Sequence, residues 1–165
     1  MRLLTMTFAL LLGAGAAHAT TLGFNDVTCS TGAICSNGQN VNQIDDNTYG
    51  DETGLDVSWA GSNGAASINY WTGYSGLSDI VYTDQPFGTM TITLDALAGY
   101  QVTLNSFQLG SVNNKDRATS VLITELGTAT TFLSTGSLTD GSSPTTISGP
   151  YTSTSGIVIN FGADI

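Results

Sequence analysis

The chain has 165 residues, with 13 acids against three strong bases and a net charge of −10 at neutral pH. So acidic a balance argues against nucleic-acid or anionic-lipid partners, because phosphate recognition needs clustered Lys and Arg. Charged residues make up only 10% of the chain, and Thr, Ser, Gly and Asn fill much of the rest, as on β-rich extracellular surfaces.

The chain opens with the three parts of an export leader. Met1-Arg2 is the positive start, Leu3 through Gly13 is an apolar run broken only by Thr5 and Thr7, and Ala17-His18-Ala19 is an A-x-A cleavage site. The run falls short of the roughly 20 residues that a membrane-spanning helix needs. The reading is a signal peptide over 1–19 and one mature domain over 20–165 with no membrane span; the alternative is a buried N-terminal helix. Cleavage removes Arg2 and His18. Lys115 and Arg117 are then the only strong bases opposite all 13 acids, and no histidine remains.

Cys29 and Cys35 follow, six positions apart with Gly32 between them. In an exported chain so close a pair points to a disulfide, and glycine lets the short loop turn. A zinc site would need further Cys or His ligands, which the mature chain lacks.

Next comes the acidic segment Asp45-Asp46-Asn47-Thr48-Tyr49-Gly50-Asp51-Glu52, with Asp56 beyond it. Counting from Asp45, the positions of Asn47, Gly50 and Asp51 match part of a calcium loop. Asp45, Asn47 and Asp51 are therefore candidate calcium ligands. Tyr49 stands where a third oxygen side chain is usual, and Asp56 where a bidentate Glu is expected. The plainer reading, a solvated turn, is favoured, since acidic turns are common in such chains.

From Leu55 onward the pattern has period two, the mark of half-buried strands. Leu55, Val57 and Trp59 share one face, as do Met90, Ile92 and Leu94, and Ile157, Ile159 and Phe161. Val102 and Leu104 alternate until Asn105-Ser106, where the phase flips to Phe107 and Leu109, which predicts a β-bulge. Val121-Leu122-Ile123 is apolar on both faces, as a central strand can be. The turn signals are Gly61-Ser62-Asn63-Gly64, Ala98-Gly99, Asn113-Asn114, Asp140-Gly141 and Gly149-Pro150. Ser134–Ser148 reads as a loop containing a short strand. Roughly eight to ten strands at this spacing predict an all-β fold, a two-sheet antiparallel β-sandwich that is jelly-roll-like.

The aromatic residues divide by face. Trp59 and Tyr70 share faces with aliphatic residues and belong to the core. Trp71 points the other way, and Tyr74 lies in the turn after it, so these two are the candidate ligand-binding platform for a sugar ring, with packing under a loop as the plainer reading. Loss of His18 leaves no base for a serine or cysteine nucleophile. A two-carboxylate glycosidase could draw on Glu52 and Glu125, the only glutamates, but no spacing pairs them. No catalytic residue is assigned, and the expectation is a protein that is not an enzyme.

Several segments resemble bacterial exported proteins of the PEP-CTERM, or related VPLPA-CTERM, sorting-domain group. They are Tyr49-Gly50-Asp51, Gly54–Ser58, Tyr70-Trp71 with Gly76–Ile80, Gly99–Gly110, Asn113–Ala118 and Ile157–Gly162, in that order over most of the mature chain. The resemblance implies a β-sandwich, export across the inner membrane and a role at the cell surface, in exopolysaccharide or in biofilm. It also implies a further strand and a basic C-terminal sorting helix. Neither is present before Ile165, so the expectation is either a fragment or a released member. The functional expectation is a secreted or cell-surface, non-catalytic β-sandwich with a structural or matrix role. Its alternative is an extracellular carbohydrate-binding module, with calcium as a structural ion. Extracellular polysaccharide or cell-surface components are the expected partners.

Overall fold

The computed structural model describes residues 21, 23–24, 27–29, 32–41, 49–62, 68–73, 76–78, 80–83, 88–110, 118–136, 138–139 and 143–162. The leader reading over 1–19 lies outside these residues. Among them no helix is long and apolar enough to cross a membrane.

The described residues form ten strands: β1 (Leu55–Gly61), β2 (Ile68–Trp71), β3 (Ile80–Thr83), β4 (Met90–Ala96), β5 (Val102–Leu109), β6 (Ala118–Glu125), β7 (Thr131–Ser134), β8 (Leu138–Thr139), β9 (Thr145–Ser153) and β10 (Gly156–Gly162). All pairings between them are antiparallel. The fold is all-β and sandwich-like. One sheet has six strands in the order β1-β4-β10-β6-β7, with β8 also on β6, and two ladders, β2-β3 and β5-β9, have two strands each.

Period-two patterning fixes the register of the large sheet. Val57 pairs with Leu94 and Trp59 with Ile92; across β4, Leu94 meets Ile157 and Ile92 meets Ile159, which in turn meets Ile123. These residues line one face and join Ile68 and Tyr70 of β2, Val102 of β5 and Ile147 of β9 in one core. A one-residue slip would turn the whole set outward, so burial holds the register. The opposite face is polar: Asp56 lies opposite Asp95, and Thr91 Oγ1 donates to Asn160 Oδ1 at 2.7 Å.

Three expectations change in detail. β6 is an inner strand with Val121 and Ile123 fully buried, but Leu122 is 38% exposed, because the outer sheet face is open there. Gly149-Pro150 is not a turn between strands; it lies inside β9. Thr145–Ser148, expected within a loop, opens that same nine-residue strand.

The register breaks at Asn105-Ser106 as expected, but the extra residue lies on β9 and not on β5. Leu104 pairs with Tyr151 and Ser106 with Ser148, so Asn105 faces both Gly149 and Pro150. Val102 is buried, and Leu104, Phe107 and Leu109 pack half-buried against the core, as the phase flip requires. Proline fits at such a break because it has no N–H to offer a ladder.

The disulfide is formed. Cys29 and Cys35 are bonded with Cα atoms 5.1 Å apart, and both are buried. It closes a small hairpin in which Cys29 N–H donates to Ala33 O, Cys35 N–H donates to Val27 O, and Thr28 bridges Ile34. The chain leaving Cys35 then runs antiparallel along the free edge of β2. Val41 N–H donates to Ile68 O, Tyr70 N–H to Gln39 O, and Gly38 N–H to Tyr70 O.

Candidate functional site

The described half of the acidic segment covers the edge of β1. The even-numbered residues of β1 bond to β4, so the N–H groups of Leu55 and Val57 point outward. Leu55 exchanges both backbone hydrogen bonds with Glu52. Val57 N–H donates to Asp51 Oδ1 at 2.7 Å, and the Trp59 indole donates to Tyr49 O at 2.9 Å. Phe24, Tyr49 and Trp59 pack ring against ring beside this edge, with centroids 5.6–6.3 Å apart. A bare edge strand invites pairing with other chains, and this fold-back closes it. Of the three candidate calcium ligands, Asp45 and Asn47 lie outside the described residues, and Asp51 is engaged at this edge. Among the described residues no group of three His, Cys, Asp or Glu gathers as a metal site would require.

Glu125 ends β6 on the core-facing side, opposite Ile157. Its Oε1 accepts from Ser153 Oγ at 2.9 Å, and its Oε2 from Thr128 Oγ1 at 3.1 Å. These hydrogen bonds, Ser153's foremost, hold its carboxyl below the ordinary carboxylate value. Ser153, 4% exposed, also accepts from the N–H groups of Ser155 and Gly156 and so fixes the β9–β10 turn. A glycosidase acid needs the opposite shift, upward. Glu52, the other glutamate, is exposed in the bridge to Leu55.

Trp59 and Tyr70 are core residues, as their faces predicted. Trp71 is half-buried on the other face of β2, and Tyr74 lies outside the described residues. One of the contacts of Trp71 is with Tyr82 of β3, ring to ring at 6.5 Å and nearly perpendicular. Asn69 lies on that same face by strand alternation, directly opposite Tyr82 on one side and Asn40 on the other.

No family model, curated protein or solved structure matches this chain.

Two aromatic rings and two amides are thus gathered on the face of β2-β3 turned away from the core. Sequence reasoning found Trp71 but missed Tyr82, Asn69 and Asn40. Nothing local marks Tyr82 or Asn40 as neighbours of Trp71; the ladder and the antiparallel run at 38–41 bring them together. A buried asparagine inside a strand was the one available signal, and its burial is visible only once both flanks are in place. Elsewhere the aromatic Tyr100 is 45% exposed in the turn between β4 and β5, where its ring lies over Gly54.

Proposed function

We propose that this chain is an exported, non-catalytic β-sandwich protein with a structural role at a bacterial cell surface or in its extracellular matrix. The observation that carries this reading is the Cys29–Cys35 disulfide. It closes a hairpin at the start of the mature chain, and structural disulfides belong to oxidising compartments. The tripartite leader and the resemblance to PEP-CTERM proteins support the same address. The use of Glu125 as a hydrogen-bond acceptor that fixes a turn supports a structural role over an acid–base one.

Fractionation of the source cells with mass spectrometry tests the export. The expected result is a protein outside the cytoplasm that starts at Thr20 and carries linked Cys29 and Cys35; an intact Met1 with free thiols overturns the proposal. Deletion of the gene should weaken the extracellular matrix, and re-expression of the Glu125→Gln variant should restore it. Release of reducing ends from a glycan by the wild type but not by Glu125→Gln would replace this reading with a glycoside hydrolase.

A further inference from the structure

We infer that the outward face of β2-β3 is a binding site for an uncharged polysaccharide, with Asn69 as its polar contact and Trp71 and Tyr82 as its apolar walls. The inference rests on the extracellular reading above and adds a ligand to it.

Asn69 carries the argument. It is 7% exposed, yet among the described residues no hydrogen bond engages its side-chain amide. Leaving a buried amide unpaired is unfavourable, and leucine or valine at a strand position would avoid that cost. Its neighbours on the strand, Ile68 and Tyr70, face the core, so Asn69 points to the opposite side. There it stands between Asn40 and Tyr82 in register, two residues from Trp71. The Asn40–Asn69 pair lies between the hydrogen bonds Val41 N–H to Ile68 O and Tyr70 N–H to Gln39 O. In such a pair the side chains approach most closely. Asn40 is itself oriented by donating from Nδ2 to Ile68 O at 3.2 Å. The result is a buried amide that shares one face of the ladder with a pair of contacting aromatic rings.

The chemistry selects the occupant. The rings of Trp71 and Tyr82 stand 80° apart and make a corner with one flat face and one edge. The C–H face of a pyranose fits such a corner, and its hydroxyls both donate to and accept from an amide. Sites of this kind are mostly apolar with a few placed polar groups. A purely apolar partner would leave Asn69 unpaired. An anionic polymer would be repelled by a mature chain with only Lys115 and Arg117 opposite 13 acids, so the glycan is uncharged.

The test is a titration of the mature protein with three neutral polymers of different linkage (dextran, laminarin and hydroxyethylcellulose), with alginate as the anionic arm. Tryptophan fluorescence reads it well, since Trp59 is buried in the core and Trp71 is the only other tryptophan. At least one neutral polymer should change the emission and bind, and alginate should not. Asn69→Ala should weaken that binding by roughly tenfold or more, the worth of one buried hydrogen bond, while the melting temperature stays within a degree or two or rises. Trp71→Phe should abolish the emission change and keep the fold. The inference is overturned by silence of all three neutral polymers, by equal binding of alginate, by unchanged affinity in Asn69→Ala, or by a steep loss of stability in that variant, which would make the amide structural. Each of these leaves export and the matrix role standing, because both are read from cell fractions.

Discussion

At the scale of single residues, two polar side chains have structural roles that their surroundings hide. Asp51 looks like a turn residue in an acidic run, but its carboxylate is the partner of a backbone N–H in a strand whose side chain is fully buried. Asp51→Ala leaves that N–H unsatisfied and should destabilise the protein by about 1–3 kcal/mol. Asp51→Asn keeps an acceptor and should lose much less; urea melts of the pair separate these outcomes. Ser153 and Glu125 form the second case. The folded pKa of Glu125 lies below its ordinary value of 4.5. Its contribution is therefore fully present above that value and is lost as pH falls through the lower folded value. A plot of stability against pH should dip in the acid range for the wild type, and the Glu125 part of that dip should vanish in Glu125→Gln. Ser153→Ala removes the acceptor for Ser155 and Gly156 N–H and should lower the melting temperature by several degrees at neutral pH.

At the scale of elements, the sequence was most legible where burial and period two coincide. β1, β4 and β10 follow from their alternation because their inward residues all meet in one core, and the phase flip in β5 marked a true break in register. It was least legible where a residue's role depends on a partner far along the chain. Gly149-Pro150 has the composition of a turn, but its place is set by Asn105 across the ladder. A methyl group at Gly149 would run into the carbonyl oxygen of Leu104, a backbone atom that cannot move aside cheaply. Gly149→Ala should therefore destabilise the protein strongly, whereas Ser148→Ala, one residue earlier and exposed, should cost little. Thermal melts of the two variants side by side check the contrast. The fold-back of 49–52 over β1 was illegible for the same reason, since an acidic turn and an acidic edge cover share one composition. The candidate site was half legible: Trp71 was found from its phase, and its companions come from β3 and from 38–41.

At the scale of the whole molecule, the disulfide hairpin is tied to the β2 face by a short stretch of chain. Cys35 ends the covalent loop, and 36–41 begins at once, turning with Ser36 N–H donating to Gln39 Oε1 at 2.7 Å and then pairing with β2. Asn37 adds a further tie by accepting from Thr72 N–H at 2.7 Å. Closure of so short a loop restricts the unfolded chain by about 2–2.5 kcal/mol in the chain-entropy model. Its local effect should exceed its global one, because 38–41 is held by a few backbone bonds at the margin of a two-stranded ladder, where opening costs less than in the six-stranded sheet. Replacing both cysteines by serine should accordingly lower global stability by about 2 kcal/mol. It should also speed hydrogen exchange at Val41 and Tyr70, whose N–H groups span the 38–41 pairing. Exchange at Ile123 and Ile159, in the middle of the large sheet, should rise only as far as the global loss requires. Amide exchange measured on wild type and double mutant decides the matter. A uniform rise at all four positions would mean that the hairpin and the sheet open together, and that the disulfide does not selectively hold the wall of Asn40 against Asn69.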